Sequence, residues 1–206
     1  ATSASAVRTV MRAPRTPLRH LLSVGLLLAL SSGALSCSRY DPLDPAARYR
    51  KAHGSLAAAK DDRARFYALG GAAKAAVDTG RPAEGEALAR ELLVLAKRFP
   101  SNWNHGNAIH DSHVVLGRVA LRRGDLVAAR QHLLDAGDTH GSPQLGSFGP
   151  NMALANELLT AGETECVLAY FAKCRRFWSM GEERLSAWEQ NVRAGQRPSF
   201  STNLIY

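Results

Sequence analysis

Cysteine is scarce: the 206-residue chain has three, at positions 37, 166 and 174, too few for a dense disulfide framework. Aromatic residues make up only 7% of it, and no acidic residue precedes Asp41. No apolar run reaches the ~20 residues of a stable span, which excludes a channel or transporter with several spans. The glycine signatures of the P-loop and of dinucleotide binding are missing, so no phosphate cradle is indicated. The serine nucleophile elbow and the zinc-protease helix motif are missing too. No run of five Lys or Arg is interleaved with aromatics, so nucleic-acid binding is not expected. What is present is an ordinary globular hydrophobic fraction, 46%, with a formal net charge of +8.

That charge is uneven. Arg8, Arg12, Arg15, Arg19 and Arg39 all lie before Asp41, and Leu21 to Leu30 is an uncharged run of ten residues. A basic lead, a short apolar run and then small residues define a secretory signal, expected here over 1–36. Met11 directly precedes the basic lead and is the expected start, with 1–10 an upstream extension. No arginine pair points to the twin-arginine route. The following GALSC (33–37) resembles a bacterial lipoprotein signal, which implies cleavage after Ser36 and lipidation of Cys37. It departs from that pattern in one respect: Ala34 stands where Leu is favoured. Ala34 and Ser36 also satisfy the small-x-small rule of plain secretion, and an uncleaved anchor is a third reading. Removing 1–36 leaves 22 basic against 18 acidic residues, a balance of +4 spread along the chain.

The remainder repeats itself. Leu116-Gly117-x-x-Ala120, Gly124-Asp125 and Ala129-x-x-x-Leu133 with Ala136 form one frame. Leu154-Ala155-x-x-Leu158, Gly162-Glu163 and Val167-x-x-x-Phe171 with Cys174 form a second. Ala72-Ala73-x-x-Ala76, Gly80-Arg81 and Gly85-x-x-x-Ala89 with Leu92 form a third and weaker one. Small residues let paired helices approach, large apolar ones fill the gaps between pairs, and each glycine ends a first helix. Over about 63–178 this pattern resembles the tetratricopeptide repeat. The resemblance implies an all-α fold: antiparallel helix pairs stacked as a short tetratricopeptide-like solenoid, with a non-repeating helical bundle as the alternative.

Boundary signals agree. Asp44-Pro45 opens a helix to about Lys60, Asp61 or Asp62 opens the next to about Thr79, and Arg81-Pro82 opens a third closing near Phe99-Pro100. Glu182 to Ala194 places Leu185, Trp188 and Val192 on one stripe, as a C-terminal capping helix requires. The expected organisation is a signal at 1–36, a linker at 37–44, a helical-repeat domain at 45–195 and a tail at 196–206.

The repeat length is irregular. Gly80 and Gly124 are 44 positions apart, and Gly124 and Gly162 are 38 apart, against about 34 in a standard repeat. The additions fall at 100–112 and 137–150, both rich in Asn, His, Ser, Gly and aromatics. Such insertions mark the binding face of many repeat proteins. The segments NHGNAIH (104–110), VLGRVAL (115–121), GSPQLGSFGPNM (141–152) and VLAYFAKCRRFW (167–178) are similar to a family of bacterial helical-repeat proteins without an assigned activity.

Candidate ligand- or partner-binding residues are therefore Asn104, Asn107, His110, His113, Gln144, Phe148 and Asn151. On a helix starting near Asn104, His110 and His113 share a face, Asn107 lies one turn earlier, and Asp111 points away. Among His105, His110, His113, His140 and Asp111, a zinc set competes with plain hydrogen bonding to the neighbouring insertion and with a polar ligand-binding concavity; no metal or cofactor is expected. Gly141-Ser142-Pro143 and Ser147-Phe148-Gly149-Pro150 read as rigid turns, with Phe148 plugging the groove between repeats and Asn151 capping the next helix. Cys166 and Cys174, about 12 Å apart along one helix, read as packing residues. Tyr170, Phe171, Phe177 and Trp178 read as core.

The expected function is a non-catalytic, exported, lipid-anchored scaffold that binds a protein or peptide in the cell envelope and contacts the membrane only through its anchor. The alternative is an envelope protein that binds a small molecule or metal through the Asn/His-rich insertions.

Overall fold

Asp44 begins the described structure by capping its first helix. Its carboxylate accepts from the backbone N–H groups of Ala46 and Ala47, with Pro45 in the first turn. The structure is a computed structural model and describes residues 44–205; the expected signal, Cys37 and the linker up to 43 lie outside the described residues. All regular structure among them is helical: α1 (Pro45–Ala57), α2 (Asp62–Asp78), α3 (Pro82–Ala96), α4 (His105–Arg122), α5 (Leu126–Gly137), α6 (Pro143–Phe148), α7 (Ala153–Thr160), α8 (Thr164–Cys174) and α9 (Glu182–Arg193). Two short 3₁₀ turns, Ser179–Gly181 and Ser201–Leu204, flank α9. No described helix is long and apolar enough to cross a membrane.

Three further helix starts, those of α2, α5 and α6, are side-chain caps. Asp61 accepts from Ala64, Asp125 from Ala128 and Ser142 from Leu145. The ends of α2, α4 and α7 share one closure. Gly80, Gly124 and Gly162 have φ of 77°, 80° and 83°. The residue after each glycine donates back five positions, Arg81 to Ala76, Asp125 to Ala120 and Glu163 to Leu158. This left-handed turn satisfies the last carbonyls of the helix and sends the chain back alongside it.

Adjacent helices pack in order: α1 on α2, α2 on α3, α3 on α4, α4 on α5 and α7 on α8. α4 also touches α2 and α7, and α5 touches α8, so neighbouring pairs lie side by side. The repeating frame supplies the buried positions. Ala73, Ala76, Ala89 and Leu92 line the first pair, Leu116, Ala129, Leu133 and Ala136 the second, and Leu154, Leu158, Val167, Phe171 and Cys174 the third. Gly117 marks a close approach between pairs: a Cβ there would run into the Leu154 side chain. Leu185, Trp188 and Val192 of α9 are buried against the third pair, with Trp188 edge-on to Phe200 at 4.9 Å between ring centres.

Three expectations need correction. Residues 143–148 are not only a turn but a short helix, because Ser142 caps it and Pro143 starts it. Phe148 is no plug: it is 55% exposed, because Gly149 turns the chain hard against the Trp178 indole and Trp178 takes the interior position. The segment expected as a tail from 196 packs back, burying Phe200 and Asn203. The Asn203 amide donates to the carbonyls of Phe148 and Pro150, and Met152 N–H donates to the Asn203 carbonyl.

Candidate functional site

The insertion after α5 lies across the first turns of α4. Gly106 makes this possible, because a Cβ there would collide with the Gly141 carbonyl. Contact at that point brings the amide groups of the two insertions together. Asn107 is the hub: its amide donates to Asn104 at 2.8 Å and to Gln144 at 2.5 Å, and its carbonyl accepts from the Ser142 hydroxyl at 2.6 Å. Asn107 is buried, and a buried amide must be bonded on both ends to offset its lost hydration.

One turn further along α4, His110 is fully buried between two partners. Its Nε2 lies 3.0 Å from the Tyr170 hydroxyl of α8, and its Nδ1 lies 3.4 Å from Asp111. With Nδ1–H turned to the carboxylate, Nε2 accepts from the Tyr170 O–H. Burial pushes the Tyr170 phenol well above its ordinary value, so it stays a neutral donor. Asp111 also pairs with Lys74 of α2 at 2.8 Å. Burial pushes its carboxyl up, but the Lys74 charge and His110 outweigh that and hold it below the usual range. Asp111 thus sits beside His110 rather than pointing away from it.

These residues wall a cavity of about 210 Å³ lined by Lys74, Asn107, His110, Asp111, Gln144, Leu145, Phe148, Gly149 and Asn151. Five of the seven sequence candidates line it. Asn104 supports it through Asn107, and His113 is elsewhere: its Nδ1 lies 3.0 Å from His132 Nδ1 on α5. The zinc set weighed from the sequence is therefore not assembled, since His110 and His113 turn to different neighbouring helices. Asn151 accepts from Ala153 N–H, the first of α7, at 2.8 Å, while the cap position itself is held by Met152.

Lys74 and Asn151 also line an adjoining groove of about 320 Å³, floored by α1, α2 and Arg118. Its basic residues are Arg48, Lys51, Lys74 and Arg118. Asp78 accepts from Arg48 at 2.8 Å and from Arg118 at 2.7 Å, and Arg118 also pairs with Glu157 of α7 at 2.8 Å. Burial works against the Arg118 charge, and the Glu157 and Asp78 carboxylates outweigh it. At the groove's rim the exposed ring of Tyr67 stacks on the exposed Trp103 at 5.6 Å.

Sequence reasoning missed Lys74, Asp78 and Arg118. The available signal was isolation: Lys74 is the one charge in GGAAKAAV (70–77), and Arg118 the one charge in VVLGRVAL (114–121). A long cation within a buried helical stripe needs carboxylate partners from other helices.

Both cysteines among the described residues are free thiols. Cys174 is fully buried, which pushes its thiol far above the ordinary value, and half-buried Cys166 is raised for the same reason. Tyr170, Phe171 and Trp178 are core, as expected, and Phe177 packs at its edge.

No protein-family model, curated protein or solved structure matches this chain. Its own geometry defines an all-helical protein of adjacently packed pairs, with an amide-lined cavity opening beside a basic groove.

Proposed function

We propose that the protein is a non-catalytic binding module, a short tetratricopeptide-like solenoid that holds a polypeptide segment in the groove between α1, α2 and α4. The observation that carries this is the junction of the two hollows at Lys74 and Asn151. At about 210 Å³ the inner cavity is below the ~300–1,000 Å³ of typical small-molecule sites. It suits one anchoring side chain, while the 320 Å³ groove beside it suits the backbone on either side. The Gln144 amide N–H groups match a carboxylate or amide side chain, while the groove's basic residues are largely balanced by Asp78, Asp111 and Glu157, so polarity rather than net charge selects the segment. The Tyr67–Trp103 stack offers an apolar shelf of the kind that anchors interfaces. The side-by-side contacts of α2, α4 and α7 support the solenoid reading. The basic leader, the apolar run 21–30 and GALSC support export and lipidation at Cys37, hence an envelope location.

A photo-crosslinking residue tests the groove directly. Ser55 lines it, whereas exposed Val94 lines neither hollow. Crosslinks to polypeptide from position 55 of envelope-expressed protein, reduced by Gln144→Ala and Lys51→Glu and absent from position 94, are expected. Equal labelling from both positions refutes the groove. Intact mass of the mature protein tests the anchor: a diacylated Cys37 is expected, and an unmodified one refutes it.

A further inference from the structure

The packing of α5 on α4 gathers another set of side chains, none of which lines the groove or the cavity. His113 of α4 meets His132 and Asp135, which stand three residues apart on one face of α5. His113 Nδ1 lies 3.0 Å from His132 Nδ1 and 3.7 Å from Asp135 Oδ2. One donor atom from each residue lies within 4.8 Å of the other two.

We propose that His113, His132 and Asp135 bind a divalent first-row transition-metal ion, with zinc the best match. Zinc–nitrogen bonds of about 2.0–2.1 Å at tetrahedral angles place neighbouring donors about 3.3 Å apart. The two separations from His113, 3.0 and 3.7 Å, fall on either side of that value, and the His132–Asp135 separation is within 4.8 Å. Two imidazoles and one carboxylate suit zinc or ferrous iron, whereas calcium and magnesium call for oxygen donors throughout. Three protein ligands leave a coordination position open to water. With side-chain exposures of 19% and 32%, His113 and Asp135 admit an ion from solvent.

Two neighbouring residues prepare the site. The Gln131 amide donates to Asp135 Oδ1 at 2.8 Å and leaves Oδ2 turned toward His113. Holding a ligand carboxylate by its other oxygen is how metal sites fix ligand orientation. Gly117, one turn beyond His113, lets the His132 Cβ come close to α4: a Cβ at 117 would lie 3.1 Å from it. Arg90 is a nearby positive charge, and Glu86 takes it up in an ion pair at 2.8 Å. Without an ion, the two Nδ1 atoms share one hydrogen bond. Zinc replaces it when that proton passes to Nε2, with no net proton released from neutral imidazoles.

Titration of metal-stripped, reduced full-length protein with zinc alone, followed by calorimetry, decides the matter. One saturable equivalent per chain is expected. His132→Ala and the near-isosteric Asp135→Asn each weaken it at least tenfold, while exposed His140→Ala leaves it unchanged. Circular dichroism checks that the variants keep the helical fold, and Asp135→Asn preserves the test if His132→Ala does not. Cobalt absorption then reports nitrogen and oxygen ligation in the native chain and its loss in Asp135→Asn. No saturable uptake, or uptake undiminished in folded Asp135→Asn, overturns the proposal.

Discussion

Tyr170→Phe removes one oxygen from the middle of the molecule and keeps the ring, so it leaves almost no cavity. The hydroxyl lies 3.0 Å from His110 Nε2 and 3.4 Å from the Asn151 carbonyl. The second contact is long and worth little. The first satisfies the Nε2 ring nitrogen of a fully buried side chain, a nitrogen with no second partner among the described residues. Its loss strands that nitrogen away from water, which costs about 1–3 kcal/mol. For a domain of this size each kcal/mol moves the midpoint by about 2–4 °C, so a fall of ~2–12 °C is expected. Thermal and urea unfolding followed by circular dichroism measure it. A double-mutant cycle with His110→Leu isolates the pair: once the imidazole is gone, Tyr170→Phe costs much less, and the coupling is about 1 kcal/mol or more. A Tyr170→Phe loss below about 0.5 kcal/mol, or losses that simply add, refutes the claim that this bond ties α8 to the cavity wall.

Arg118→Met keeps most of the side-chain volume but leaves Asp78 and Glu157 without their shared cation; a loss of about 3 kcal/mol or more in urea unfolding is expected. Arg118→Met with Glu157→Gln recovers part of it, because Glu157 no longer carries a charge and Asp78 keeps its pair with Arg48. Glu86 is held below the usual carboxylate range by hydrogen bonds from Arg123 and Arg90. A lowered folded value stabilises the fold above the unfolded value of about 4.3, and the benefit is lost as pH falls through the lower folded value. Glu86→Gln therefore flattens the stability profile below about pH 4 and costs under ~1 kcal/mol at neutral pH; an unchanged acid limb contradicts the assignment.

Local signals were legible where a single residue carries the physics. Asp44 and Asp61 cap as their side-chain chemistry requires, and Gly80, Gly124 and Gly162 adopt the positive φ that ends a helix. The stripe of Leu185, Trp188 and Val192 was readable because one helical face suffices to define it. The short helix α6 was hidden, since six residues containing Gly146 carry too little periodicity to read. Asn107, Gln144 and His110 were found because polar residues in an insertion have no repeat role to explain them. Their partners were not, because Lys74 meets Asp111 and Asp78 meets Arg118 only after α2 and α4 pack. The separation of His110 from His113 followed from the same cause. Three residues turn a helix by about 300°, close enough to share a face in a sequence reading, yet each ring meets a different neighbouring helix, α8 for one and α5 for the other.

Asn203 bonds the carbonyls of Phe148 and Pro150 from more than fifty residues away, and Ile205 lines the groove. The walls of the two hollows are thus completed by residues far along the chain. Without Asn203 the loop bearing Gln144 and Phe148 lacks the amide that pins it, so a chain shortened before residue 200 leaves that wall without its support. The geometry of the cavity therefore depends on the residues around Asn203 as much as on the insertion that lines it.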